Sequence, residues 1–231
     1  MKLVVVADVH DLAGFANLHR AVDFERPDVV LSCGDWGSNL PTQRKHVLAH
    51  YSPEFLKLTP GAYEELFDPI LEKTRLYTLY GNHDILDILY HLRNRDGSSC
   101  LLETFKPIIL NGVTLLGING NISGKGNPWN VTLTELRAQY AKHRPAPPID
   151  IVLSHEAVAP HQYKGHPAMS EFFDMLQPRF WFTGHTHIES DITVMGTRVG
   201  GTRLIGLGMM LHGVYSTLDT ETGELERKSL K

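Results

Sequence analysis

Residues 181–190 read WFTGHTHIES. An aromatic run of strand type stops at Gly184, and two imidazoles follow one residue apart, His185 and His187. Alone, an H-x-H says little, since a surface turn accounts for it as well as a metal site does. The decision comes from the rest of the chain, where the same succession recurs: a short apolar run, then residue types that ligate metals.

Four earlier runs share that character: KLVVVA (2–7), DVVLS (28–32), RLYTLY (75–80) and IDIVLS (149–154), with RFWFT (179–183) as the fifth. Each is nearly continuously apolar, as strands covered on both faces are. Helical patterns lie between them. AGFANLHRAVDFE follows the first run and GAYEELFDPILEK precedes the third. TLTELRAQYAKH, with Thr132 and Glu135 at capping-box spacing, precedes the fourth, and AMSEFFDML precedes the fifth. The alternation predicts a layered α/β domain with a largely parallel arrangement. LLETFKPIILNGVTLLGING, with Asn111-Gly112 as its turn, reads as antiparallel hairpin structure, as do DITVM, TRVGGTRLIGLGM and GVYSTLDTETGELERKS. Two β-rich stretches around an α/β region predict two packed sheets with helices outside.

The residues just after each apolar run carry the chemistry. Asp8 and His10 come after the first, Gly34-Asp35 after the second, and Gly81-Asn82-His83-Asp84 after the third. The fourth leads into His155 and the fifth into Gly184-His185-Thr186-His187. Open α/β sheets bind ligands beyond the carboxyl ends of their strands, so five strand ends bring carboxylates, an amide and imidazoles to one edge. Residues two apart in extended chain point the same way, which lets Asp8 share a target with His10 and puts His185 on a side with His187. The glycines at 34, 81 and 184 are expected to let the backbone turn sharply as it leaves the sheet. Mixed oxygen and imidazole donors suit manganese, iron, zinc or nickel better than magnesium or calcium. About seven ligands exceed a single tetrahedral zinc site and fit two metals sharing a carboxylate.

Composition bounds the alternatives. The 231 residues suffice for one large domain spanning 1–231, and the 42% hydrophobic and 21% charged content is ordinary for a soluble globular protein. A net charge of −4 gives no global attraction to nucleic acid or anionic membrane. The first apolar run is too short for a signal peptide before Asp8 interrupts it, and no segment reaches membrane-span length. Two cysteines provide neither a disulfide framework nor a zinc pattern, and Cys33 reads as a buried, inert thiol. A cytoplasmic location is expected. Thirteen histidines is high for this length; His19, His46, His50 and His143 sit among charged or helical residues and are set aside.

The ordered set D-x-H, G-D, G-N-H-D, H, G-H-x-H, spanning residues 8 to 187, resembles the calcineurin-like metallophosphoesterase superfamily. The resemblance implies a four-layer α-β-β-α sandwich of two mixed sheets flanked by helices, and two divalent metal ions per chain, manganese favoured over iron, zinc or nickel. It implies Asp8, His10, Asp35 and His187 around one metal, and a bridging Asp35 with Asn82, His155 and His185 around the other. His83 becomes the non-ligand catalytic histidine, protonating the leaving group while a metal-bridging hydroxide attacks phosphorus. Asp84 becomes the carboxylate orienting His83, with a helix N-cap for ILDILYHLR as its structural alternative.

Within that superfamily, the serine/threonine phosphatases carry an aspartate–arginine pair after the second block, where this chain reads GDWGSN. Purple acid phosphatases place a tyrosine where this chain has Ser38, and the double-strand-break repair nucleases add a capping domain for which there is no room. The compact phosphodiesterases remain, with a small, nucleotide-type or cyclic-nucleotide phosphodiester as substrate; a phosphomonoesterase is the alternative. A non-catalytic scaffold, as in the small retromer subunit, is disfavoured because His83 and every ligand position are filled. Lys125 and Trp129 in NGNISGKGNPWN (119–130) are candidates for phosphate contact and base stacking against a plain loop reading. His161, Tyr163 and His166 are candidates for a site wall, with packing or surface as the favoured reading, and residues 37–58, with Arg44 and Lys45, are candidates for a lid. Exposed aromatic residues and the β-rich C-terminal stretch leave homodimerisation open.

Overall fold

A computed structural model describes residues 1–37, 58–84, 86–122, 130–146, 148–196 and 200–230. In chain order the strands are β1 (Lys2–Val6), β2 (Val29–Ser32), β3 (Arg75–Thr78), β4 (Ile108–Leu110), β5 (Val113–Ile118), β6 (Asn121–Ile122) and β7 (Asn130–Val131). They continue as β8 (Ile151–Ser154), β9 (Phe180–Thr183), β10 (Ser190–Val194), β11 (Thr202–Gly206), β12 (Val214–Asp219) and β13 (Leu225–Ser229). Among the described residues they form a five-stranded sheet, β13-β12-β1-β2-β3, a six-stranded sheet, β10-β11-β9-β8-β5-β4, and the small pair β6-β7.

Side-chain alternation builds the layers. In β1, Leu3 and Val5 face the second sheet and pack with Leu153, Phe182 and Ile205, while Val4 and Val6 face outward. Outside the first sheet, helix Leu12–Glu25 lays Phe15, Leu18 and Val22 on that outward face. Outside the second, helices Leu133–His143 and Pro167–Leu176 bring Leu136, Met169 and Phe172 onto Leu116, Val152 and Trp181. Two outer apolar layers and one between the sheets make the four-layer α-β-β-α sandwich of the metallophosphatase fold.

Both sheets are mixed. Strands β1, β2 and β3 are parallel, and so are β5, β8, β9 and β11, so these carboxyl ends share one edge of each sheet. Strand β11 pairs antiparallel with β10 but parallel with β9, and β5 antiparallel with β4 but parallel with β8. The two segments expected to be purely antiparallel therefore also contribute parallel strands. Asn111 and Gly112 both have positive φ in the β4–β5 turn, as a type I′ hairpin requires. The continuous helix expected over GAYEELFDPILEK is two short helices, Pro60–Glu64 and Asp68–Leu71. Pro69 explains the break, because it cannot donate to a carbonyl four residues back. The Thr132–Glu135 capping box forms as expected.

Candidate metal centre

Among the described residues, two clusters of metal-ligand side chains stand at the carboxyl edge of the sandwich. Asp8, His10 and His187 form one, and Asp35, His155 and His185 the other, the potential ligand atoms of each lying within 4.8 Å of one another. Strands β1 and β2 of the first sheet and β8 and β9 of the second supply them, so the centre straddles the two sheets. Nε2 of His187 lies 3.3 Å, and Nε2 of His10 3.6 Å, from Oδ1 of Asp8. Asp35 stands between the clusters: its Oδ2 is 4.0 Å from Nε2 of His10 and 3.4 Å from Nε2 of His155. Asn82 joins the second cluster, its Oδ1 lying 3.0 Å from Nε2 of His155.

The backbone is bent to this arrangement rather than extended as expected, and it sends His185 and His187 to different clusters. Asp8, His10, Asp35, His185 and His187 all have φ between 55° and 64°. Left-handed backbone costs an L-residue roughly 1–2 kcal/mol, although aspartate and histidine visit it more than most. Elsewhere Arg26, Arg144 and Gln177 adopt it as helix C-caps, an ordinary use. No helix end accounts for the five at the sheet edge, and such concentration marks functional sites. The glycines work differently from the sharp turns expected of all three. Gly34 does have a φ of 91°, but Gly81 and Gly184 lie outside the left-handed region. A Cβ on Gly81 would come within 2.2 Å of Oδ1 of Asp35 and 2.5 Å of the His155 ring. Its lack of a side chain is what lets the third strand end approach the centre.

Hydrogen bonds hold the loops in register. The Asp8 N–H donates to the Gly34 carbonyl and the His10 N–H to the Asp35 carbonyl, at 3.0 and 3.1 Å. Asp84, fully buried, accepts from the N–H groups of Asp35, Trp36 and Gly81 at 3.0, 2.7 and 2.6 Å. It thus clamps the backbone carrying Asp35 to the backbone that precedes Asn82. Burial and the Asp35 charge raise its pKa to about 7, against the pull of those three donors. The His83 N–H donates to Oδ1 of Asp35 at 2.8 Å, and the His83 ring lies edge-on to His10 with centroids 5.6 Å apart. Burial lowers its pKa, with His10 and His155 adding to the effect against the opposing charge of Asp35.

Three features fit cations. Both carboxylate oxygens of Asp8 are buried without an aligned hydrogen-bond donor among the described residues. Burial raises its pKa, yet nearby His10 and His187 hold it down at about 2. His155 donates from Nδ1 to the Cys33 carbonyl at 2.8 Å, which leaves Nε2 facing two acceptor oxygens, on Asn82 and Asp35. Either a second ring proton or a metal ion must fill that position. Without a metal the proton is favoured: despite burial, Asp35 raises the His155 pKa to about 10, and the Asp35 carboxyl is correspondingly lowered. Burial and His155 lower His185 to about 4, leaving a neutral imidazole with a lone pair to offer. The donor set, buried, anionic and rich in imidazole, fits two divalent cations.

A sixth strand end escaped the sequence reading. Strand β5 runs into Asn119-Gly120-Asn121, and the Asn121 amide nitrogen lies 3.2 Å from Nε2 of His185. Its parallel pairing with β8 was hidden by the stronger hairpin signal of Asn111-Gly112. For the suggested wall residues the packing-or-surface alternative matches what they touch: His166 caps helix Pro167–Leu176, His161 packs on Phe173, and Tyr163 is exposed. Lys125, Trp129, Arg44 and Lys45 lie outside the described residues. A cavity of about 780 Å³ runs along the β3 and β4 side of the sandwich, lined by Tyr77, Tyr80, Tyr90, Lys106, Gln139 and Lys142 among others. No candidate ligand lines it, so the chemistry is assigned from the strand ends. No described helix is long and apolar enough to cross a membrane.

Solved structures share this architecture. The Thermus thermophilus protein TT1561 superposes with a TM-score of 0.72 at 13% identity, covering 100% of this chain and 99% of that one. A dimetal phosphatase from Danio rerio gives 0.57 at 12% identity over 94% and 91% of the two chains. An archaeal phosphodiesterase gives 0.53 at 17% identity over the full length of both. Curated protein sequences yield no match. Since the model of the calcineurin-like phosphoesterases matches residues 1–189, a stretch that contains all five ligand-bearing strand ends, the chain belongs to that family.

Proposed function

We propose that the protein is a two-metal phosphodiesterase acting on small phosphodiesters, with manganese as its working metal. The position of Asp35 carries the reading: one carboxylate oxygen faces a histidine of each cluster, at 4.0 and 3.4 Å. Asp8, His10 and His187 would hold one ion with Asp35; Asn82, His155 and His185 would hold the other with the same carboxylate. Bound there, two cations would neutralise phosphoryl oxygens and acidify a water. The likeness to an archaeal phosphodiesterase supports the choice of diester.

The chain's own contribution is geometric and protonic. Because the His83 N–H takes Oδ1 of Asp35, it leaves Oδ2 to both clusters and fixes the His83 backbone beside the bridging carboxylate. The half-buried His83 ring stands next to His10 and so at the rim of the centre. We assign it the proton donated to the departing alkoxide. Asp84 keeps this constellation rigid by tying the Asp35 and Gly81 backbones together.

The test uses bis-p-nitrophenyl phosphate and p-nitrophenyl phosphate with manganese added. Faster turnover of the diester is expected, with monoester preference as the outcome that reverses the choice. His83→Ala should lower the rate by roughly 10²–10⁴-fold for diesters with aliphatic leaving groups. It should do so much less for p-nitrophenolate, which departs without a proton. Inactivity across manganese, nickel, iron and zinc would overturn the enzymatic reading.

A further inference from the structure

Strand β6, which follows β5 after two residues, delivers to the centre a polar side chain that belongs to neither ligand cluster. Asn121 is half-buried, and its amide nitrogen meets Nε2 of His185 at 3.2 Å. Its mount is fixed on several sides. The Gly120 N–H donates to the Tyr80 carbonyl at 2.9 Å, and the Ile122 N–H to the buried Glu156 carboxylate at 3.3 Å. Asn121 also pairs in parallel register with Asn130. The amide therefore sits on backbone tied to the ends of β3 and β8, the strands that carry Asn82 and His155.

The amide nitrogen, which can only donate, faces the same ring nitrogen of His185 that a cation would use. The lone pair that Asn121 caps is one that a cation would take, and the two uses exclude each other. When a cation occupies Nε2, the amide N–H loses its acceptor while its mount still holds it beside the ligating nitrogen. A donor so placed needs a new acceptor, and an oxygen bound next to His185 provides one. We infer that Asn121 is a substrate-binding residue whose amide donates to a phosphoryl oxygen of the ester, or to any tetrahedral oxyanion at that position. The inference rests on the two-metal reading above.

The test separates metal binding from oxyanion binding. Manganese affinity is measured by calorimetry on metal-free wild type, Asn121→Ala and the isosteric Asn121→Asp. Inorganic phosphate is then measured as a competitive inhibitor of the loaded proteins. Asn121→Ala should bind manganese at least as tightly as wild type, because a competitor for the His185 lone pair is gone. Its inhibition constant for phosphate and its KM should both rise about 10- to 100-fold, the range of one hydrogen bond to a charged acceptor, while kcat changes less. Asn121→Asp should bind phosphate more weakly still, through like-charge repulsion, and manganese more tightly. A tenfold loss of manganese affinity in Asn121→Ala would make Asn121 a ligand or a support for His185 and overturn the inference, as would an unchanged phosphate constant. Wild-type protein that binds no manganese would overturn the two-metal reading itself, a result distinguishable from either.

Discussion

At the scale of single residues, Gly81 is the most exposed to test. A methyl group there would overlap Oδ1 of Asp35 and the His155 ring at 2.2–2.6 Å, and neither neighbour can withdraw without leaving the centre. Gly81→Ala should fold, as judged by circular dichroism, yet elemental analysis should find fewer than two metals per chain. Activity should fall by about 10²-fold or more, because small misplacements of a catalytic constellation are that costly. Most of the site was legible at this scale, since aspartate, asparagine and histidine placed directly after apolar runs have few other uses. Asn121 was not, because its neighbours suggest only a polar loop, and its meeting with His185 spans 64 positions. The work of Asp84 was half hidden for a similar reason: its acceptors' partners are backbone groups on two different loops.

Among the elements, helix Leu12–Glu25 is stapled to the first sheet by one buried carboxylate. Glu25 accepts from the Tyr215 hydroxyl at 2.9 Å and pairs with Lys2 at 2.7 Å and Lys228 at 3.0 Å, joining the helix end to β12, β1 and β13. Replacing it by alanine should cost about 1.5–3 kcal/mol, the range for hydrogen bonds to a charged group. Burial opposes its ionisation, but the two lysines and Tyr215 prevail and lower its pKa below the usual 4.5. A lowered folded-state pKa means that the stabilisation is complete above about pH 4.5 and disappears as pH falls through the folded value. Urea midpoints of wild type and Glu25→Gln should therefore differ at pH 7 and converge in acid; a constant difference would contradict the assignment. The five parallel runs were readable from their continuous apolarity, because both of their faces are covered. The second partners of β5 and β11 were not, because local turn chemistry announces a hairpin neighbour and is silent about a parallel one across the sheet.

For the molecule as a whole, we propose that residues 1–231 act as one domain, because the segment beyond the family match completes both sheets. Strand β12 pairs along β1 from Lys2 to Val5, and β11 pairs along β9. Deleting β12 and β13 would strip β1 of a partner and remove Leu218 and Leu225 from the layer between the sheets. The truncated chain should show no cooperative unfolding transition, whereas a soluble, cooperative fragment would refute the single-domain proposal. Metal loading should be visible globally too. Manganese at a hundred times its dissociation constant adds about 2.7 kcal/mol per site. At about 2–4 °C per kcal/mol for a chain of this size, Tm should rise by about 5–10 °C per site and fall back on chelation.

The straddling centre also bears on how fast the protein comes apart. His10 and His187 meet across 177 positions of chain, and a contact that closes so long a loop is expected to form late in folding. Ions gripping such a contact stabilise the finished structure more than its transition state. Stopped-flow traces should then show unfolding slowed by manganese while refolding keeps its pace. The metal would act as a latch closed after the two sheets have docked, setting the lifetime of the folded chain rather than its speed of assembly.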